Sequence, residues 1–181
     1  MKKSQLGAMV GCVALVAATL GTTASAQAAP QGCVVDSPAS MKKQAKAYYG
    51  NINNGRWVAL RKQLAKDHSQ SLLAGIPAAS HDDSVDAWKT LAAVFPDINV
   101  KAKSLTADLK TTSTIKSHRK PSVAAYGDIT LTGKDGKAEV IEFSNTLFFD
   151  TCDRIVSEEW VIATPPAVVS AVVDYLTEQA S

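Results

Sequence analysis

The hydrophobic pattern of this chain changes its period after Pro96. Before that proline, apolar residues recur every three or four positions, as they do along the buried stripe of an α-helix. From Ile98 onward, apolar and polar residues alternate, which is typical of β-strands with one buried face. Helices followed by a run of strands predict an α+β fold, in which an antiparallel sheet packs against the helices.

Local signals place the first two helices. Ser37 followed by Pro38 is typical of a helix start, because the serine side chain can cap the helix and proline costs nothing at the first helical position. Asn-Asn-Gly at 53–55 is expected to end this helix. A second short helix is expected to begin near Trp57 and to stop near 67–68.

The rest of the chain divides at glycine, proline and the helix caps. Residues 69–81 are expected to form an apolar loop or a short strand, and Asp83 or Ser84 is expected to cap a third helix. An antiparallel meander follows, with a bulge near 103–104. The predicted strands cover residues 98–109, 122–132, 138–149 and 154–162, with turns at 133–136 and 150–153 and a terminal helix at 167–178.

The first 26 residues have the pattern of a secretory signal peptide. Lysines open it, residues 6–20 form an uncharged apolar run, and Ala-Ser-Ala at 24–26 suits a signal peptidase, with cleavage expected after Ala26 or Ala28. A membrane anchor is the competing interpretation, but the apolar run is shorter than the roughly 20 residues that cross a bilayer. We therefore expect export to the periplasm or the medium, an arm at 27–36, a single domain at 37–181, and no membrane span after cleavage.

Charge argues against nucleic acid as a partner. The chain has 19 basic and 17 acidic side chains, and two of the lysines lie in the leader, so the exported chain is balanced. Binding to nucleic acid depends on lysine and arginine side chains that neutralise phosphates. We therefore expect no nucleic-acid partner.

Two cysteines remain after cleavage, Cys33 near the new terminus and Cys152 far along the chain. In an oxidising compartment such a pair is expected to form one disulfide, which would close a long loop and restrict the unfolded chain. Two free or intermolecular thiols are the alternative. A lipoprotein would instead use Cys12, but only a very short apolar stretch precedes that cysteine.

Three segments, in this order, resemble the SnoaL-like branch of the nuclear transport factor 2-like superfamily. Residues 48–57 resemble the family's first helix, its Asn/Gly break and its second helix, and residues 88–98, ending in Phe-Pro-Asp-Ile, resemble the hinge into the sheet. Residues 145–162 resemble the closing hairpin. The resemblance implies a cone, in which a strongly curved antiparallel sheet and the helices enclose an apolar pocket, and it implies a homodimer formed through the sheet.

The resemblance carries over only part of the family's catalytic set. Tyr48 matches the tyrosine with which steroid isomerases hydrogen-bond a developing oxyanion. The aspartate base of those isomerases would fall at 71–73, where this chain has no carboxylate, and the acid/base aspartate of the cyclases would fall on the strand that carries Asn145 and Thr146. An amide cannot take up a proton near neutral pH.

The remaining candidate residues come from strand alternation. Asp128 and Glu142 could supply a general base, although strand carboxylates are more often exposed, and Glu158 is judged in the same way. Asn145 alternates with apolar neighbours and would need a partner inside a pocket. Core packing is the alternative role of the aromatic residues. The residues expected to line the pocket are Tyr48, Trp57, Phe95, Phe143, Asn145, Leu147 and Trp160.

Two functions follow from these residues. The histidines are widely separated, and no spacing typical of metal ligands, phosphate-binding loops or dinucleotide sites occurs, so neither a metal nor an organic cofactor is expected. The first function is noncatalytic binding of a small hydrophobic molecule. The second is a cofactor-free isomerase, cyclase or dehydratase acting by proton transfer, with Tyr48 as donor and Asp128 or Glu142 as base. The missing aspartates favour the first.

Overall fold

The computed structural model describes residues 37–71, 77–78, 80–109 and 120–181. The predicted leader, the arm and Cys33 lie outside these residues, so the pairing of Cys33 with Cys152 stays a prediction. The described residues form an α+β fold, as the change of period predicts. Their elements are α1 (Pro38–Asn53), α2 (Trp57–Gln63), β1 (Leu64–Ser71), β2 (Pro77–Ala78), α3 (His81–Val94), β3 (Asp97–Asp108), β4 (Ser122–Thr132), β5 (Ala138–Phe149), β6 (Ile155–Ile162) and α4 (Pro166–Ala180).

Helix α1 begins and ends where its capping residues predict. The Ser37 hydroxyl accepts a hydrogen bond from the Ser40 backbone N–H at 3.1 Å, and Pro38 occupies the first turn. Gly55 follows the helix with a φ of +59°, a left-handed conformation that glycine adopts without strain. The buried face of α1 carries Met41, Ala45, Tyr48, Tyr49 and Ile52.

Two predicted boundaries are wrong. Helix α2 ends at Gln63, and strand β1 replaces both the expected end of this helix and the start of the expected loop. The sequence pattern did not indicate this strand, because its later inward-facing residues, His68 and Gln70, are polar and hydrophobic alternation is therefore absent. Helix α3 is capped by Ser80 rather than by Asp83 or Ser84, since the Ser80 hydroxyl accepts from the Asp83 N–H at 3.2 Å.

The six strands form one sheet in the order β2-β1-β6-β5-β4-β3. All neighbours are antiparallel except β1 and β6, which run parallel, so the sheet is mixed and the expectation of a purely antiparallel sheet is corrected. The bulge near 103–104 is confirmed by a register shift between Ala102 and Ser104. Gly127 lies opposite this bulge, where an added Cβ would collide with the Lys101 carbonyl oxygen.

The core lies between one face of the sheet and the helices. Inward residues of β4, β5 and β6 meet the buried faces of α1 and α3 there. Helix α4 adds Val168 and Val172 to the core and contacts α3. Among the described helices, none has the length and apolar character required to cross a membrane. This arrangement brings β1 and β6, which lie far apart in the sequence, side by side, and α3 packs against β1.

Candidate functional site

A carboxylate lies inside the aromatic core. Glu158 is on β6, where buried and more exposed residues alternate toward the strand end, and Trp160 follows it on the same inward face. The side chain of Glu158 has no exposed surface. A carboxylate in such surroundings needs hydrogen-bond donors, because the loss of water around a charge is costly.

Two donors meet one oxygen of this carboxylate. The Tyr48 hydroxyl donates to Glu158 Oε2 at 2.7 Å, and the Trp160 indole Nε1 donates to the same oxygen at 2.9 Å. The Trp88 indole Nε1 donates to the Tyr48 oxygen at 3.2 Å. Because the Tyr48 oxygen accepts from Trp88, the Tyr48 proton is directed at Glu158. Hydrogen bonds thus run in one direction from Trp88 through Tyr48 to Glu158.

His68 lies against the other carboxylate oxygen. Its Nε2 is 3.0 Å from Glu158 Oε1, and its Nδ1 is 3.2 Å from the Ile155 carbonyl oxygen. A carbonyl oxygen only accepts, so Nδ1 carries a hydrogen. The Nε2 atom, at the other end of the ring, thus lies in close contact with Glu158 Oε1, with both side chains fully buried.

A second buried polar pair joins strand β5 to helix α1. The Asn145 amide Nδ2 donates to the Tyr49 hydroxyl at 3.2 Å. The Asn145 Oδ1 atom is buried and has no hydrogen-bond partner among the described residues. Asn145 is the register partner of Trp160, so this free acceptor faces the same interior as Glu158. An unpaired buried acceptor is unfavourable, so Oδ1 is a candidate acceptor for a donor from a ligand or a water molecule.

Burial keeps both tyrosines protonated. Loss of solvent, followed by the nearby charge of Glu158 and the hydrogen bond to it, raises the pKa of Tyr48 well above its usual value. Burial and then the charge of Glu158 also raise the pKa of Tyr49. Tyr48 is therefore a neutral hydrogen-bond donor at physiological pH.

The structure brings five of the seven predicted lining residues together. Tyr48 bonds to Glu158, Leu147 is the register partner of Glu158, and the Phe143 ring lies 5.2 Å from the Trp160 ring. These residues and Asn145 are buried around the carboxylate. These side chains pack against one another around Glu158, and that they line a ligand pocket stays a prediction.

Trp57 and Phe95 lie elsewhere. Trp57 lines a shallow cleft at the start of α2, together with Arg56 and Val58. Phe95 follows α3 and lines an open cleft of about 510 Å³ between α4 and the turn that joins β4 to β5. Phe95 is buried in the core and Trp57 packs against it, so the apolar spacing that suggested these two residues marks core-facing positions away from Glu158.

The structure separates the two predicted bases from Tyr48. Asp128 pairs with Lys103 at 2.8 Å, and Glu142 accepts a hydrogen bond from the Tyr126 hydroxyl at 2.9 Å. These residues lie on the outer face of the sheet, because strand alternation places them opposite the buried Ile129 and Phe143. The carboxylate that reaches Tyr48 is Glu158 instead.

From the sequence, Glu158 was weighed as a possible base but expected, like other strand carboxylates, to be exposed, and His68 was not predicted as a site residue. The available signal was positional: Glu158 stands two residues before Trp160 and so shares its face on a strand. No comparable signal existed for His68, since β1 was predicted as helix and loop. Among the described residues, no group of three metal-binding side chains is placed to hold a metal ion.

No protein-family model matches the sequence, and no curated protein is significantly similar to it. Solved structures do match. AclR from Streptomyces galilaeus aligns with a TM-score of 0.58 at 19% identity, over 75% of this chain and 97% of AclR. A SnoaL-like protein from Shewanella denitrificans aligns with a TM-score of 0.54 at 15% identity, over 77% of this chain and 98% of its own.

A third similar structure comes from Catenulispora acidiphila. It has a ketosteroid isomerase-like fold, was solved in complex with trimethylamine, and aligns with a TM-score of 0.57 at 11% identity, over 72% of this chain and 92% of its own. At such low identities the similarity concerns the fold, so any function has to be argued from the residues of this chain.

We expect the Glu158→Leu variant to lose about 3 to 5 kcal/mol in the free energy of unfolding, because Tyr48, Trp160 and His68 would each lose a buried partner. The matched variant Glu158→Gln should lose less than about 1.5 kcal/mol, since its amide oxygen can accept from Tyr48 and Trp160 while its NH₂ donates to His68. Urea unfolding at neutral pH measures both. Equal losses in the two variants would contradict the network.

Proposed function

We propose that this chain, which has the fold of the SnoaL-like and nuclear transport factor 2-like proteins, binds a small and largely apolar molecule in its interior beside Glu158. The observation that carries the proposal is the fully buried cluster of Glu158, Tyr48 and Asn145 within an aromatic core. A core built only for stability gains little from a buried carboxylate. Buried ionisable groups are concentrated at functional sites instead.

The chemistry of the interior indicates the kind of ligand. Phe143, Leu147 and Trp160 offer an apolar surface for a hydrocarbon or aromatic body. The free Asn145 Oδ1 atom suits a hydroxyl or amine donor, and the Tyr48 hydroxyl suits a carbonyl oxygen. Because Tyr48 donates to Glu158, a ligand carbonyl would have to replace that hydrogen bond and to move the surrounding side chains apart.

Noncatalytic binding is the first form of this proposal. It is supported by the absence of the catalytic aspartates that the resemblance would place at 71–73 and on the strand that carries Asn145 and Thr146. In this form the polar cluster serves recognition, since a few placed polar groups in an apolar pocket fix the orientation of a ligand.

Proton transfer is the second candidate, and the 2.7 Å contact between Tyr48 and Glu158 favours it. Glu158 would take a proton from the carbon next to a ligand carbonyl, while the Tyr48 hydroxyl hydrogen-bonds the oxygen on which negative charge develops. The same proton would return from Glu158 to another carbon of the ligand, so the product is an isomer and no cofactor is consumed. His68 would hold Glu158 in place through its Nε2 atom.

A single probe, 6-hydroxy-2-tetralone, tests both forms because it has an apolar body, a hydroxyl donor and a carbonyl with an adjacent acidic carbon. We expect it to bind the wild-type protein, as followed by tryptophan fluorescence. Asn145→Leu should weaken binding about 10-fold, because the ligand hydroxyl loses its acceptor. The matched surface variant Asn54→Leu should bind as the wild type does.

The exchange of the probe's acidic hydrogens in D₂O, measured by NMR, then separates the two forms. Acceleration by the wild type that falls at least about 100-fold in Glu158→Gln, with binding retained, supports proton transfer. Binding without acceleration supports the noncatalytic form. Failure of the probe to bind the wild-type interior contradicts both.

Export, a disulfide between Cys33 and Cys152, and a homodimer belong to the same proposal. The dimer is supported by apolar and aromatic side chains on the outer sheet face, where Tyr126, Val140 and Val161 are 43%, 63% and 73% exposed. A second copy that covers this face would remove them from water.

Intact-mass measurement of protein secreted by a bacterial host tests both the cleavage of the signal peptide on export and the disulfide. We expect a chain that begins after the predicted cleavage site at Ala26 and that gains two hydrogen atoms on reduction. Sedimentation of the same material should give a dimer. An unprocessed start, an unchanged mass on reduction, or a monomer would each contradict the corresponding part.

A further inference from the structure

Gln70 is a buried side chain that the proposed site leaves unused. It lies on β1 and is only 5% exposed. Its amide nitrogen and its amide oxygen are both buried, and neither has a hydrogen-bond partner among the described residues. Native proteins pair nearly all such atoms, so two unpaired atoms on one side chain require an explanation.

The position of Gln70 links it to the cluster around Glu158. Strands β1 and β6 run parallel, and Gln70 is the register partner of Glu158. Register partners point to the same face of a sheet, so the Gln70 side chain lies on the interior side, on the strand beside that of Glu158. His68, two residues earlier on β1, contacts Glu158 directly and confirms which face this is.

Other glutamines of this chain show what a structural role looks like. Gln63 accepts from the Asn51 amide at 2.7 Å and donates to the Gln44 side-chain oxygen at 3.1 Å, so both ends of its amide are paired. Gln70 has the greater need for partners, because it is more deeply buried. The protein therefore retains an unfavourable group at Gln70 beside its most polar interior residue.

We propose that Gln70 is a specificity-determining ligand contact and that it selects molecules with a hydrogen-bond donor beside a carbonyl acceptor, such as lactams and other cis amides. A glutamine amide offers N–H and C=O side by side, and a cis amide offers the complementary pair, so two parallel hydrogen bonds form. This inference rests on the proposed interior site and names the ligand class that the site takes.

Two bicyclic probes of nearly identical shape test the inference. 2-Quinolinone is a lactam with an N–H next to its carbonyl, and coumarin is the lactone with an oxygen in place of that N–H. We expect the wild type to bind 2-quinolinone at least about 10-fold more tightly, because coumarin leaves the Gln70 oxygen unpaired against another acceptor. Gln70→Met should bind the two probes with similar affinity.

Thermal unfolding supplies a second readout. If Gln70 served only the stability of the fold, its replacement would lower the melting temperature, whereas a ligand contact predicts no decrease. Gln70→Met should leave the melting temperature unchanged or raise it, because an unpaired amide is replaced by an apolar side chain of similar length. The matched variant Gln63→Met should lower the melting temperature, since it removes paired hydrogen bonds. A fall in Gln70→Met as large as that in Gln63→Met would overturn the inference.

The binding outcomes distinguish this inference from the function on which it rests. Equal affinity of the wild type for the lactam and the lactone overturns the role of Gln70 and leaves the interior site intact. So does binding of 6-hydroxy-2-tetralone without binding of 2-quinolinone. If none of the three probes binds, the interior site itself fails, and the inference fails with it.

Discussion

The carboxylate of Glu158 needs hydrogen-bond donors inside an aromatic core, and this requirement fixes the relative positions of several helices and strands. Four elements each supply one group to its network: α1 supplies Tyr48, α3 supplies Trp88, β1 supplies His68, and β6 supplies Trp160. A charged group at this depth is stable only while its donors stay in place. The positions of the two helices over the sheet are therefore coupled to the position of one side chain.

The parallel pairing of β1 with β6 makes this arrangement possible. It places His68 and Gln70 beside Glu158, although the two strands lie far apart in sequence. The antiparallel neighbour β5 brings Asn145 and Leu147 to the other side. Polar groups from β1, β5 and β6 thus share the interior face of the sheet with the rings of Tyr49, Phe143 and Trp160. An apolar wall with a few polar atoms is the composition expected of a small-molecule site.

Local features of the fold could be predicted from sequence, while the centre of the site could not. Ser37 and Pro38 start a helix through contacts within one turn, and the strand bulge near Ser104 follows from a change of parity between neighbours. Glu158 is different, because its burial depends on Tyr48, 110 residues earlier in the chain. Strand β1 could not be predicted for the same reason. Its inward-facing residues His68 and Gln70 are polar, so the sequence shows no hydrophobic alternation, and His68 contacts Glu158 of a distant segment.

Hydrogen exchange at the tryptophan side chains tests the central claim directly, because the indole N–H groups of Trp88 and Trp160 are donors of the buried network. We expect these two indole protons to exchange only on global unfolding, while that of the partly buried Trp57 exchanges much faster. If the Trp160 indole proton exchanges as fast as that of Trp57 under native conditions, Glu158 is not held as described and the account is wrong.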